Sequence, residues 1–271
     1  MTDTVISQFQ KIIYGYYKNS GRNFPFREKI SPYYVLISEI MLQQTQTSRV
    51  SQKFLEFIDK FPNFTELANA NLDEVLQAWQ GLGYNRRAVA LKNIAEIVVN
   101  EYEGTLPQDV EALKTFPQIG HNTASSIVSF AYNKPTFFIE TNIRRVYIYF
   151  FFPGRNDVDD KEIMRLLKQT ADIKNPREWY YALMDYGVML KKTHPELNKR
   201  SKHYRKQKKF KGSNRQLRGK ILKLVLKSGK ISFEDLKKEV NFETKKINKV
   251  VHQLEREGFL KKKDDYIMVS K

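Results

Sequence analysis

Apolar residues recur at three- and four-residue spacing through Ile6–Tyr17, Val35–Phe61, Leu72–Leu82, Ala88–Val99, Thr123–Phe130 and Arg144–Phe150. That period puts one side chain per turn on a common helix face. Pro62, Pro107, Pro117, Pro135 and Pro153 punctuate the segments, and Ser31-Pro32 offers a capping hydroxyl followed by proline at a first helical position. No long alternating run and no internal repeat interrupts the pattern. Residues 1–190 are therefore expected to form an all-α body of short helices. A chain of 271 residues, 41% hydrophobic, can bury the core of one large domain and a small one.

The C-terminal third differs in charge. Residues 191–271 hold 26 of the 47 Lys and Arg but only 9 of the 30 Asp and Glu, so the whole excess of +17 lies there. A solvated lysine-rich surface would look like this, and so would a polyanion-binding segment, because lysines beside phosphates release counterions. Lys191–Lys211 has few large apolar residues and reads as a basic linker or phosphate-facing loop. Beyond it, Leu217, Ile221, Leu224 and Val225 mark a helix. Ser232-Phe233-Glu234-Asp235 is a capping box opening a second. Ile247, Val250, Val251 and Leu254 mark a third, and Phe259–Val269 reads as a hairpin turning at Asp264-Asp265. Three helices and a basic hairpin make a winged helix over 213–271, a module that meets either DNA or protein.

The chain has no cysteine, which excludes disulfides, zinc–thiolate sites and cysteine-held clusters. It has no run of eighteen apolar residues and no secretory signal, so an intracellular location without membrane contact is expected.

Five places carry polar residues that a plain core does not need. Phe116-Pro117-Gln118-Ile119-Gly120-His121-Asn122-Thr123-Ala124 is a turn running into a helix. It points backbone amides outward where the helix dipole favours an anion, which suits one phosphate, although a simple turn has the same pattern. Glu140 follows, between apolar residues and Arg144-Arg145. Glu39 lies in Val35-Leu36-Ile37-Ser38-Glu39-Ile40-Met41-Leu42, an acid in an almost unbroken apolar helix. Burial there would raise its pKa, as a general acid near neutrality requires; the alternative is a structural pair with Arg27 or Arg86. Gln43-Gln44-Thr45-Gln46 continues that helix with groups suited to base edges or to wedging into a duplex. Gly81–Ala88 offers a glycine turn presenting Tyr84, placed to stack on a base, with Arg86 and Arg87.

Pro25-Phe26-Arg27, Leu36–Gln46, Trp79–Leu91 and Ala182–Gly187 together resemble the helix-hairpin-helix (HhH-GPD) DNA glycosylases of base-excision repair, and within them the MutY-like adenine glycosylases, over residues 22–190. The resemblance implies a two-lobed core, with residues 27–133 as a helical barrel carrying the hairpin and 1–26 plus 134–190 as the second lobe. A basic loop over 191–212 and the winged helix follow. It implies that Glu39 protonates the leaving purine, that Gln44 and Tyr84 enter the duplex, and that Arg27 and Asp185 line the base pocket. Asn142 would contact the sugar or phosphate beside Glu140. Gln118, Ile119, Gly120, His121 and Thr123 would hold the backbone, with Gln43, Arg86, Lys191, Lys192, Lys199 and Arg200 as further DNA contacts. The chemistry agrees: one protonated acid helps the base depart, one carboxylate stabilises the cationic sugar, and the base must first leave the stack.

The chain departs from the family pattern in four ways. Gln118 replaces the first glycine of the hairpin turn. Glu140 stands where the family has Asp; one extra C–C bond moves the carboxyl by about 1.5 Å on a fixed backbone, and a shift of about 1 Å can cost roughly a hundredfold in rate. Asn122 stands where bifunctional relatives carry an imine-forming lysine, so a monofunctional glycosylase without strong strand cleavage is expected. Lys191, Asn198, Ser201 and Gln207 occupy the positions of the family's cluster cysteines, so no iron–sulfur cofactor is expected. The expected activity is removal of adenine opposite 8-oxoguanine or guanine from duplex DNA by a monomer. Thymine from T:G pairs or a modified purine is the alternative substrate. A catalytically silent lesion-binding protein is the alternative of another class.

Overall fold

The computed structural model describes residues 1–206 and 209–270. Its contacts separate two units, residues 1–39 with 107–206 and residues 40–106 with 207–271. Among the described residues no helix is long and apolar enough to cross a membrane.

The first unit contains α1 (Asp3–Ser20), α2 (Pro25–Glu28) and the larger part of α3 (Pro32–Leu42). The helices α8 (Val110–Lys114), α9 (His121–Tyr132), α10 (Thr141–Phe151), α11 (Asp160–Thr170) and α12 (Pro176–Thr193) follow, then a 3-10 turn at Leu197–Arg200. Helix α12 packs along α10 and α1. Aromatic rings fill that seam: Phe9 meets Tyr147 at 5.6 Å and Trp179 at 5.7 Å, edge to face, each pair adding about 0.5–1.5 kcal/mol beyond its buried area. Gly187 lets the two helices touch. A Cβ there would lie 2.7 Å from Asn142 Cβ and 2.8 Å from the Asn142 carbonyl carbon, closer than packed atoms approach.

The segment joining α9 to α10 is laced down rather than loose. Thr136 Oγ1 donates to Ser125 O at 2.7 Å, Tyr180 donates to Thr136 O at 2.7 Å, and Phe138 stacks on Tyr180 at 4.1 Å. These contacts deliver Glu140 to the start of α10.

The second unit holds α4 (Thr47–Lys60), α5 (Phe64–Asn69), α6 (Leu72–Ala78) and α7 (Arg86–Glu101). It also holds α13 (Asn214–Ser228), β1 (Lys230–Ser232), α14 (Phe233–Val240), α15 (Thr244–Arg256), β2 (Leu260–Lys263) and β3 (Tyr266–Val269). The periodicity through Val35–Phe61 is broken in the structure. Helix α3 ends at Leu42 and α4 begins at Thr47, so Gln43–Gln46 form a turn instead of continuing the helix. The polar run cannot be buried, and Gln44 leaves the helical region at φ 55°.

Ser213 and Ser232 cap α13 and α14 by accepting from Gln216 N and Asp235 N. The hairpin turns at Asp264, φ 53°. The antiparallel sheet runs β1-β3-β2, with Ile231 opposite Ile267. Strand β1, three residues long, is too short to show an alternating pattern.

Candidate active site

Glu39 is half-buried near the end of α3, and its Oε2 accepts a hydrogen bond from Ser126 Oγ on α9 at 2.5 Å. Ser126 Oγ also lies 3.0 Å from Thr123 O. One hydroxyl can serve both protonation states. It donates to Glu39 when that residue is ionised, and it accepts from the acid while donating to Thr123 O when Glu39 is protonated. Burial pushes the Glu39 carboxyl up to about 7; the Ser126 hydrogen bond opposes this, the charge of Glu140 adds to it, and Arg27 opposes it. Arg27 and Arg86, which the alternative reading pairs with Glu39, are ion-paired elsewhere, with Asp185 and Glu257.

Glu140 is the N-cap of α10. Its Oε1 accepts from the backbone N–H of Asn142 at 2.7 Å and of Ile143 at 2.8 Å, and its Oε2 accepts from Asn142 Nδ2 at 3.2 Å. Burial raises its pKa above the ordinary carboxylate range, opposed by the two amides and then by Arg145 and Arg144. Asn142 therefore faces inward, where its Oδ1 accepts from Arg145 Nη1 at 2.8 Å. Arg145 donates to Gly187 O at 2.6 Å, and Arg144 pairs with Asp160 at 2.7 Å. Asn122 donates to Ile139 O at 2.9 Å and His121 Nε2 lies 3.2 Å from Phe137 O, so both tie α9 to the segment preceding Glu140.

Asp185 is wholly buried and takes five hydrogen bonds from Arg22 and Arg27. Arg27 also lies over the Tyr181 ring, 4.2 Å from its centre. Pairing in this form satisfies the carboxylate completely, and Arg22 is a partner that the sequence reading lacked.

The amides expected to hold a phosphate lie at the start of α9. Gly120 is its N-cap without a side-chain capping bond, His121 and Asn122 are exposed, and Thr123 is half-buried. Gln118 is exposed in the left-handed region at φ 62°, the conformation a glycine would supply, while Ile119 is buried. Lys191, Lys192 and Lys199 are exposed. Arg200 is not free for phosphate: it donates to Arg155 O at 2.7 Å and to Phe152 O.

In the second unit, Gln44 and Tyr84 both adopt positive φ, 55° and 47°, a strained state that persists only when the surroundings over-determine it. Arg87 does so. Its Nη1 donates to the carbonyls of Ile40, Met41 and Gln43 at 2.9, 2.8 and 2.7 Å. Its Nη2 donates to Thr45 Oγ1, Leu82 O and Gly83 O at 3.1, 3.2 and 3.0 Å. One guanidinium thus caps the end of α3 and binds the Gln43–Gln46 turn to the Gly81–Tyr84 turn. Burial lowers its pKa to about 10. Arg86 pairs with Glu257 at 2.5 Å and is half-exposed.

The positions that would hold the family's cluster do not fit one. Lys, Asn and Ser supply no thiolate. Asn198 is engaged through its amide, whose oxygen accepts from Arg145 Nη2 at 2.6 Å and whose nitrogen donates to Thr141 O at 3.2 Å. Ser201 is buried and bridges to Val158. Gln207 lies outside the described residues. Among the described residues no group of three or more His, Cys, Asp or Glu could hold a metal ion.

Residues 37–172, which contain Glu39, the α9 turn and Glu140, match the model of the HhH-GPD superfamily base excision DNA repair protein. The chain belongs to the HhH-GPD superfamily. Within that superfamily it is 32% identical over 197 residues to the adenine DNA glycosylase of Buchnera aphidicola subsp. Baizongia pistaciae, covering 72% of this chain and 56% of that one. It is 40% identical over 132 residues to the adenine DNA glycosylase of Mycolicibacterium smegmatis, covering 48% and 45%. The chain spans about half the length of the curated relatives it matches. The solved structure of a thermostable thymine-DNA glycosylase shares the HhH-GPD fold, with TM-score 0.61, 24% identity and coverage of 68% of this chain and 86% of that one.

Proposed function

We propose that the protein is a monofunctional DNA glycosylase that hydrolyses the N-glycosidic bond of a mismatched or damaged base in duplex DNA, first of all adenine opposite 8-oxoguanine or guanine. The observation that carries this reading is Glu39, a half-buried acid with a pKa near 7, bonded to a hydroxyl that tolerates both of its protonation states. A proton held at this pKa is available to a leaving base at neutral pH and is readily given up.

In the proposed reaction the bond between sugar C1′ and base nitrogen breaks with its electron pair going to the base, and the Glu39 proton goes to the base. Glu140, fixed by the Asn142 and Ile143 amides, is the second carboxylate, facing the positive charge left on the sugar. A water oxygen then bonds to C1′, and its proton returns to Glu39. Asn122 cannot form an imine, so water alone captures C1′ and an abasic sugar remains in an intact strand. The uncapped start of α9 would take a backbone phosphate, and the lysine-rich C-terminal third would add sequence-independent affinity. The adenine preference is supported by the names of the curated relatives.

A second reading, a lesion-binding protein without turnover, draws on Glu140, whose Oε1 is engaged in capping α10. The test is incubation with duplexes carrying A:8-oxoG, A:G, T:G and U:G pairs and hypoxanthine or methylated purines, with and without alkali. Alkali-dependent breaks at adenine are expected. Tight binding with no product from any duplex would establish the second reading, and breaks without alkali would overturn the monofunctional claim.

A further inference from the structure

Helix α15 gives one face to the core, where Ile247, Val250, Val251 and Leu254 are buried and the helix packs on α13 and β2. On the opposite side Lys245, Lys249, His252 and Arg256 are all exposed, spaced four, three and four residues apart, so they form one stripe. A solvated lysine surface looks different in this chain. On other helices Lys53, Lys92, Lys114 and Lys237 each pair with a glutamate three or four residues away. No acid stands three or four residues from Lys245, Lys249 or Arg256. Lys245 and Lys249 are instead four apart, a like-charge spacing that weakens a helix. Lys245 and Lys246 also lie in the first turn, which holds no acid and where the helix dipole disfavours cations. The stripe therefore costs the helix stability, and its exposure means that packing does not demand it.

The cationic surface continues onto the sheet. Lys261, Lys262 and Lys263 are exposed along β2, an edge strand. Glu255 joins the two elements, meeting His252 Nδ1 at 3.1 Å and Lys262 Nζ at 3.9 Å. Lysines on an edge strand block pairing with other chains, which accounts for β2 but not for α15. Asp264 and Asp265 turn the hairpin beyond Lys263, so the surface ends before the tip. Glu257, just past α15, accepts from Arg86 at 2.5 and 3.0 Å and from Arg218 at 2.6 and 3.2 Å. These bonds tie the helix to the start of α7 inside the same unit.

We infer that α15 and β2 form a second duplex-binding surface, with α15 in a major groove of DNA and Lys245, Lys249 and Arg256 against phosphates. The surface contains neither Glu39 nor Glu140, so it holds the duplex without taking part in the chemistry. The stripe is about 16 Å long at about 1.5 Å per residue, and the major groove, about 12 Å wide, admits a helix. Counterion release when three cations meet a polyanion offsets the destabilisation of the helix. The choice of DNA as the partner rests on the proposed function.

The experiment measures binding of the full chain to a lesion-free duplex of about 30 base pairs, from about 50 to 200 mM salt. Lys245→Ala/Lys249→Ala/Arg256→Ala removes about three phosphate contacts. The slope of log affinity against log salt should therefore fall by about 2.7, with affinity at least about tenfold weaker at the low-salt end. Lys161→Ala/Arg165→Ala/Lys174→Ala, which removes the same charge from α11 and the loop after it, should change the slope by less than about one. Lys245→Glu separates binding from folding. It puts an acid in the first turn, four residues before Lys249, so thermal stability should hold or rise, while duplex affinity falls about tenfold. A triple variant with the wild-type slope, or a Lys245→Glu protein that binds as wild type does, would overturn the inference. Competition by duplex RNA equal to that by DNA would also overturn it, since the major groove of RNA is too deep and narrow for side chains to read. Equal competition by polyglutamate at matched charge would make an acidic protein the partner instead. Excision is scored separately: a reduced slope in a protein that excises no base would keep this surface and remove the glycosylase reading.

Discussion

Ser126 Oγ lies 2.5 Å from Glu39 Oε2 and 3.0 Å from Thr123 O, so one hydroxyl links the only acid of α3 to the first turn of α9. The hydrogen bond to Glu39 favours the ionised carboxylate and holds its pKa below what burial alone would set. Ser126→Ala removes that support. The limb of excision that falls with rising pH should move to higher pH in this variant, with duplex affinity unchanged. Single-turnover rates between pH 5.5 and 9 measure it; an unmoved or downward-shifted limb would separate Ser126 from the titration.

Stability should report the same carboxyl with a defined sign. Its folded pKa, about 7, lies above the unfolded value, which is about 4.3 for Glu. The folded state therefore holds the proton more tightly, and its contribution is fully present below about pH 4.3 and is lost as pH rises through 7. Glu39→Gln should match wild type at pH 4 and exceed it at pH 8 by on the order of 2 kcal/mol, one pKa unit being worth about 1.4 kcal/mol with a discount for partial exposure. Urea unfolding at the two pH values decides; equal stability at pH 8 would mean that the folded pKa is ordinary.

Arg87 should matter more than its conservative replacement suggests. Lysine keeps the charge but cannot fork to both turns. Arg87→Lys should cost about 1.5–3 kcal/mol, the range for hydrogen bonds to a charged group, and should slow excision more than it weakens duplex binding, because Gln44 and Tyr84 lose their fixed poses. Thermal unfolding and single-turnover excision together measure this, and wild-type values in both would show that the turns hold without the clamp.

Gly187→Ala tests the seam between α10 and α12. The new methyl would press on Asn142, whose side chain holds Glu140 Oε2. Overpacking of this kind costs about 1–3 kcal/mol, and a displaced Asn142 should slow excision at least tenfold at a temperature where the variant is folded. Loss of stability with an unchanged rate would confine Gly187 to packing.

The residues that a sequence makes visible here are those whose pattern is local. The helical body, the Ser232 cap, the Asp264 turn and the misfit of Glu39 in an apolar helix all follow from spacing and residue type within one segment. Ser126 lies 87 residues from Glu39, and Arg22 lies 163 from Asp185. Neither pairing leaves a trace in periodicity, because a buried polar bond depends on what the fold brings alongside. Arg87 was legible as a cation beside Tyr84 but not as the clamp on six acceptors. Its buried carbonyl partners could be inferred only once α3 was known to stop at Leu42, and the apolar spacing through Phe61 hid that stop.

The central claim is that Glu39 gives a proton to a departing base. Single-turnover excision of adenine from an A:8-oxoG duplex, by wild type and Glu39→Gln across pH 5.5 to 9, tests it most directly. The account predicts a wild-type rate that falls through about pH 7 and a Glu39→Gln variant that binds the duplex but releases no base. A Glu39→Gln rate within a few-fold of wild type, or a wild-type rate flat across that range, would contradict it.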